Sequence, residues 1–520
     1  MSRVELGIDF GTTRTVVACA DRGNHPVVGF TDGTGDAARW IPSVVAERDG
    51  ELRFGFDAVA AADDPSFTVV RSFKRLLGGP DAGPGQPVVI GSRTLTAGEL
   101  TTGFLAYVRT ALLERSDLRR ALARTPVLRA AVAVPANAHG AQRLVTLDSF
   151  RRAGFQVEAM LNEPSAAGFE YTHRHRDTLS SRRDLVVVYD LGGGTFDASV
   201  VRVSGRRHEV LGTAGIGRLG GDDFDAVLAD VVLGRAGLKR EALPARALDR
   251  LVDQCRAAKE GLTPGSRKLT VDLEPVLGAS SPRAELTLAV SDYYEACTPL
   301  VNRTIEAMVP LMSRADEAAA TPGFVEIAGV YVVGGASELP IVARTLRERF
   351  GRRVHRSPYP SAAVAIGLSI AADAGAGFEL VDRYARTFGV FREGASGQEI
   401  TFDPIFTPSV ELPAAGGDPL TKTRAYRAAH NVGHFRFFEC SAEDDGGRPR
   451  GDMALHGDVH FPFDPALRSG GDLAGVPVER RGHAGPPILE RYSLDASGIV
   501  EVSIRDEESG YERTYRLGKL

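Results

Sequence analysis

The sequence predicts an α/β protein with covered sheets, followed by an all-β domain, and three observations carry that expectation. Through the first three-quarters of the chain, short β-branched apolar runs alternate with amphipathic helical stretches, the pattern of sheets packed under helices. One pattern, an apolar strand, an aspartate and a glycine-threonine turn, occurs at Asp9 and again at Asp190. Beyond residue 372 the helical spacing stops and short alternating strands with turn clusters take over.

The strand-like runs come in order as "VELGIDF", "RAAVAVPA", "DLVVVYDL" and "GVYVVGG", each ending in a turn or loop. Between them "ELTTGFLAYVRTALL" and "ALDRLVDQCRAAKEGL" carry apolar residues at helical spacing, with Leu248, Leu251, Val252, Cys255 and Leu262 forming one stripe. "ADAGAGFELVDR" reads as a helix end and a linker. After it, "FRFFECS" and "YSLDASGIVEVSIRDEESGYERTYRL" give strands broken at "DASG" and "EESG", consistent with a sandwich.

At 520 residues, the chain should divide into about two to four domains. Its 43% hydrophobic and 25% charged residues are those of a globular protein. The net charge of −5, from 62 basic and 67 acidic residues, offers no footprint for nucleic acid or a membrane surface. No apolar run is long enough for a spanning helix, and "MSRVELGIDF" enters a strand directly, without a signal-peptide core. Cys19, Cys255, Cys297 and Cys440 lack paired spacing and read as buried free thiols in a reducing cytoplasm.

The chemistry lies in the two turns. Three consecutive glycines, Gly192, Gly193 and Gly194, weaken a strand but let backbone N–H groups converge on an anion, phosphate above all. Asp9 and Asp190 would repel phosphate unless a Mg²⁺ lay between, held by carboxylates and phosphates together. Two such hairpins facing each other would clamp a metal nucleotide.

"GIDFGTT", "YDLGGGTFD", "LNEPSAAGFEY", "RLGGDDFD" and "VVGGASELP" resemble the phosphate, connect and adenosine motifs of heat-shock protein 70 chaperones of the DnaK type. "SFKRLLGG" and "VAVPANAHGAQR" resemble two further segments of that family, in its order, over about residues 1–375. The resemblance implies a two-lobed actin-like ATPase domain, duplicated on a ribonuclease H-like plan, over 1–375. A linker at 376–388 and a β-sandwich substrate-binding-like domain over 389–520 would follow, with no helical lid.

It further implies ATP or ADP with Mg as cofactors, and a stress-response chaperone that hydrolyses ATP to control peptide binding. Gly11, Thr12 and Thr13 would wrap the phosphates, opposed by Gly192, Gly193, Gly194 and Thr195, with Asp9 and Asp190 holding Mg²⁺. Glu163 and Asp197 would orient the attacking water, and the Lys74 charge would offset that of the phosphoryl group in flight. Gly220, Gly221, Lys259, Thr263, Gly334, Gly335, Ala336 and Glu338 would complete the nucleotide site. Unfolded clients, a J-domain co-chaperone and a nucleotide exchange factor would be the partners.

Pro135 and Arg143 match family positions that couple nucleotide state to the second domain, while Asn137 and His139 between them read as surface substitutions. Departures gather at the nucleoside end. Arg256 replaces the family's glutamate and, four residues from Glu260, is expected to pair with it. Glu338 replaces an arginine that stacks on adenine, and Ser361 replaces an aspartate, so a weaker nucleoside grip is expected. In the linker, Glu379, Asp382, Arg383 and Arg386 are expected to weaken docking on the ATPase domain. Phe435, Phe437 and Phe438 line either a peptide groove or the sandwich core, with core the expected fate of Phe435 and Phe437. Two other readings compete with the chaperone: a nucleotide-gated module for one dedicated partner, and a small-molecule kinase of the same superfamily. The second domain and the lack of a sugar-binding segment argue against the kinase.

Overall fold

The structure is a computed structural model, and it describes residues 4–79, 83–124, 127–175, 179–180, 183–277, 284–318, 327–394, 397–444, 446–482 and 485–518. Two sheets built on one plan form the first part. In lobe I the order is Phe155–Asn162, Leu128–Val134, Glu5–Phe10, Arg14–Cys19 and Ile41–Pro42. In lobe II it is Val354–Arg356, Ile327–Val333, Leu185–Leu191, Phe196–Ser204, Arg207–Ile216 and Glu379–Val381. Each sheet starts with an antiparallel hairpin whose first strand is joined by a later parallel strand. The repeated strand-Asp-turn pattern therefore marks the start of each lobe.

Helices Glu163–Arg174 and Ala363–Ala372 fill the space between the sheets. Their apolar faces share one core with Val16, Ala131, Val186 and Tyr331, drawn from both lobes. Close approach is set by glycine: a Cβ on Gly7 would stand 2.3 Å from Ala365 O, and one on Gly367 1.8 Å from Ala166 O. Any side chain there would force the lobes apart. All four cysteines are free and buried.

The last part is a sandwich of two four-stranded antiparallel sheets. One runs Glu399–Phe406, Thr387–Gly394, Val432–Glu443, Pro449–Pro462, and the other Leu420–Arg427, Pro487–Leu494, Val500–Asp506, Glu512–Arg516. Phe388, Phe437, Phe461, Ile488, Tyr492 and Val502 form its core, with Phe435 at the margin. Phe438, the next residue along the strand, faces the other way, and its ring meets that of Phe391 at 5.2 Å. Phe435 and Phe437 thus belong to the core rather than to a groove.

The charged linker is docked, against the sequence expectation. Glu379–Val381 pairs in parallel with Arg207–Glu209 at the edge of the lobe II sheet. Asp382 accepts from Asn162 Nδ2 at 3.0 Å and from Ser165 Oγ at 3.1 Å. Arg383 Nε donates to Val210 O at 2.8 Å. Arg386, fully buried, donates to Asn137 Oδ1 at 3.3 Å and to Asp452 O at 2.8 Å. The linker charges dock because each meets a partner on the lobes or the sandwich, which composition alone does not reveal.

Two further expectations are corrected at the same junction. His139 is buried: its Nδ1 accepts from Gln142 N, capping the helix Gly140–Arg152, and its Nε2 lies 3.0 Å from Gly79 O. Asn137 is half-buried under Arg386. Neither is a surface substitution. Gly140 N donates to Glu439 of the sandwich at 2.7 Å, and Arg143 NH1 donates to Ser497 O at 3.2 Å.

Candidate functional site

The two hairpin turns meet across the cleft between the lobes. A Cβ on Gly193 would stand 2.6 Å from the Thr13 side chain, and one on Gly194 2.7 Å from that of Thr12. Gly220 presses its Cα on the Gly193–Gly194 peptide, where a Cβ would stand at 2.6 Å. Gly334 has φ +85°, and a Cβ there would collide with Asp190 Oδ1 at 2.4 Å. Glycine is required at these places because the facing threonine and aspartate side chains and the neighbouring backbone leave no room for a Cβ.

That space is a cavity of about 380 Å³, the size of a small-ligand site. Of the residues singled out in the sequence, Asp9, Gly11, Thr12, Thr13, Lys74, Glu163, Asp190, Gly192, Gly193 and Thr195 line its inner end. Gly221, Lys259, Thr263, Gly334, Gly335, Ala336 and Glu338 line the outer end, joined by Arg356 and Ser361. Gly194 and Gly220 sit behind the wall, and Asp197 borders an adjoining smaller pocket shared with Thr12, Lys74 and Thr195.

Electrostatics distinguish the inner end. Lys74, in the short 3₁₀ turn Phe73–Gly78, is buried and bonds Glu163 Oε1 at 3.0 Å. Asp197 is the cross-strand neighbour of Asp190 and accepts from Asn137 N at 3.4 Å. Burial first, then the charge of Glu163, pushes Asp9 up to about 7, with Lys74 opposing. Burial and Glu163 likewise push Asp197 up to about 7. Asp190 is raised too, by burial and then by Glu163, Asp197 and Asp9. Four carboxyl groups thus converge on one lysine, an excess of negative charge with hard oxygen donors, which fits a Mg²⁺ ion.

The outer end differs from the sequence expectation. Arg256 does not pair with Glu260. It reaches back to the helix Gly221–Ala236, bonding Asp225 at 3.0 Å and Asp222 at 3.2 Å, and it also bonds Asp253 at 3.3 Å. Lys259 Nζ bonds Asp225 at 2.6 Å and Gly221 O at 2.9 Å. Glu260 instead accepts from Arg14 NH2 at 2.7 Å, across the cleft, and Arg14 lies 4.5 Å over the Trp40 ring.

Arg14 is one of several cross-cleft cations that sequence reasoning did not single out, Arg246 NH1 to Pro65 O at 2.7 Å among them. Arg75 NH2 bonds Asp223 at 2.7 Å and Gly194 O at 3.3 Å, and Arg71 Nε lies 2.9 Å from Asp253. Their only sequence signal is adjacency, Arg14 following Thr13 and Arg75 following Lys74. All of them tie lobe I to lobe II, and Arg14 does so in the lining of the cavity itself.

The family model described as "Hsp70 protein" matches residues 88–395. Among curated proteins, the "Chaperone protein HscA homolog" of Burkholderia multivorans is 30% identical over 530 aligned residues, covering 98% of this chain and 77% of its own. The protein of the same name from Burkholderia ambifaria is similar to the same extent.

Proposed function

The chain belongs to the Hsp70 family, whose members are ATPases, and on that footing we propose that it is a chaperone that binds Mg·ATP between its lobes. It hydrolyses the nucleotide and uses the cycle to govern client binding by the sandwich. The observation that carries this reading is the convergence of Asp9, Asp190, Glu163 and Lys74 on one cavity behind two opposed glycine turns.

When bound, Mg²⁺ neutralises phosphate charge and draws the carboxylates into their ionised form. Asp9 and Asp190 would hold the metal through its waters, and the backbone N–H groups of Gly11–Thr13 and Gly192–Thr195 would hold the phosphates. Lys74, fixed by Glu163, places a cation where charge develops in phosphoryl transfer. Glu163 and Asp197 orient water and accept its proton, a task suited to carboxyl groups raised toward neutrality such as Asp197. Gly221, Lys259, Thr263, Gly334, Gly335, Ala336 and Glu338 border the nucleoside.

Single-turnover phosphate release tests the assignment. Asp190→Asn and Lys74→Ala should each slow it by at least about a hundredfold, with circular dichroism unchanged. Undiminished release in both variants would remove these roles.

The division into 1–375, 376–388 and 389–520 is the working domain map. Unfolded clients, a J-domain co-chaperone and a nucleotide exchange factor are the proposed partners. Four buried free thiols support a reducing, cytoplasmic setting, and no described helix is long and apolar enough to cross a membrane. One observation favours a second reading, a nucleotide-gated module for a dedicated partner: Phe435 and Phe437 pack in the core instead of offering a peptide groove. Peptide arrays separate the two, since binding of many unrelated apolar peptides fits only the chaperone.

A further inference from the structure

A second cluster of ligating side chains stands on the outer face of the sandwich, away from the nucleotide cavity. His434 on Val432–Glu443 and His460 on Pro449–Pro462 are register partners across an antiparallel pair. Such partners project from the same face. Their rings stack at 4.2 Å with an interplanar angle of 16°. Asp458, two residues before His460 and so on the same face, places Oδ1 2.7 Å from His434 Nε2 and 4.0 Å from His460 Nδ1. One ligand atom from each residue lies within 4.8 Å of the others, and no other such group occurs among the described residues.

A surface ion pair would need one histidine and one aspartate, and it leaves the second ring unexplained. The stacked pair instead turns both imidazoles toward the same carboxylate. Arg436, the register partner of Asp458, is the flanking cation, and among the described residues it forms no ion pair with that carboxylate.

We propose that His434, Asp458 and His460 bind a divalent transition-metal ion of the Zn²⁺ class. His434 Nε2, His460 Nδ1 and one Asp458 oxygen supply three ligands and water the fourth, a donor set of imidazole and carboxylate that suits such ions. The Asp458 Oδ1 separations of 2.7 Å from His434 Nε2 and 4.0 Å from His460 Nδ1 bracket the spacing of about 3.3 Å that metal–ligand distances of about 2.0–2.1 Å set in a tetrahedron. Small side-chain rotations close the site. Because Pro449–Pro462 is the edge strand of its sheet, a bound ion would staple that edge to its neighbour.

The test is a Zn²⁺ titration of the full, metal-free and nucleotide-free chain by calorimetry, with Cu²⁺ as an electron-spin-resonance probe. One equivalent should bind, and copper should show coupling to two imidazole nitrogens. His434→Ala and His460→Ala should each weaken binding at least about a hundredfold and Asp458→Asn about tenfold. Asp190→Asn, in the nucleotide cleft, should leave this equivalent in place. Zinc should raise the melting temperature of the wild type but not of the double histidine variant. His434 and Asp458 are exposed and His460 is half-buried, so the variants should fold, as circular dichroism will verify. No bound equivalent in the wild type, or unchanged affinity in the double histidine variant, overturns the proposal.

Discussion

Replacing Asp382 by alanine should release the linker from the nucleotide-binding lobes. Its carboxyl group is buried at 8% exposure and receives hydrogen bonds from Asn162, Ser165 and the Arg383 N–H. Asn162 Oδ1 in turn accepts from Arg143 NH2 at 2.5 Å, and Arg143 is 2% exposed. Truncation leaves the Asn162 amide unpaired and the guanidinium without its nearby carboxylate. Leaving a buried hydrogen-bonding group unpaired costs about 1–3 kcal/mol, here for each of Asn162 and Ser165. Burial raises the pKa of Asp382, which places the loss at the lower end. A loss of about 3 kcal/mol shifts the docking equilibrium by about a hundredfold. Hydrogen exchange reads this directly. The amides that pair Glu379–Val381 with Arg207–Glu209 should exchange about a hundredfold faster in the variant, while the lobe I sheet keeps its protection. Unchanged protection of the linker strand would refute the reasoning.

Without metal, the raised carboxyl groups make stability fall as pH rises. Asp9 and Asp197 move from 3.8 to about 7 on folding, so between those values the native state holds more protons than the unfolded chain. Melting temperatures of the metal-free protein should fall from pH 5 to pH 8, and added Mg²⁺ should reverse the loss above pH 7; a metal-independent profile would contradict the carboxylate cluster. Glu338→Arg should tighten ATP binding by up to about tenfold through a cation over the base, read by calorimetry; no change would place Glu338 away from the base.

The hairpins were legible in the sequence because their chemistry is local: strand, aspartate, glycines and threonine lie within a few residues of one another. The same locality placed Phe435 and Phe437 in the core, since alternation with polar residues fixes a strand's inward face. What stayed hidden depends on distant partners. Arg256 was expected to pair with Glu260 one helical turn away, yet Asp222 and Asp225 on a neighbouring helix surround it. The linker charges were expected to weaken docking because Asn162 and Ser165, which donate to Asp382, lie more than 200 positions away. His139 looked like an exposed replacement because an imidazole capping a helix has no sequence signature of its own.

The central claim, that two opposed turns grip a nucleotide through a shared magnesium ion, is tested most directly by calorimetry of ATP, ADP and GTP on wild type and Asp190→Asn, with Mg²⁺ and with chelator. The account expects ATP and ADP to bind the wild type one to one, with affinity falling at least about tenfold when Mg²⁺ is removed or Asp190 is neutralised. Binding equally tight in chelator and in the variant, or no nucleotide binding at all, would contradict it.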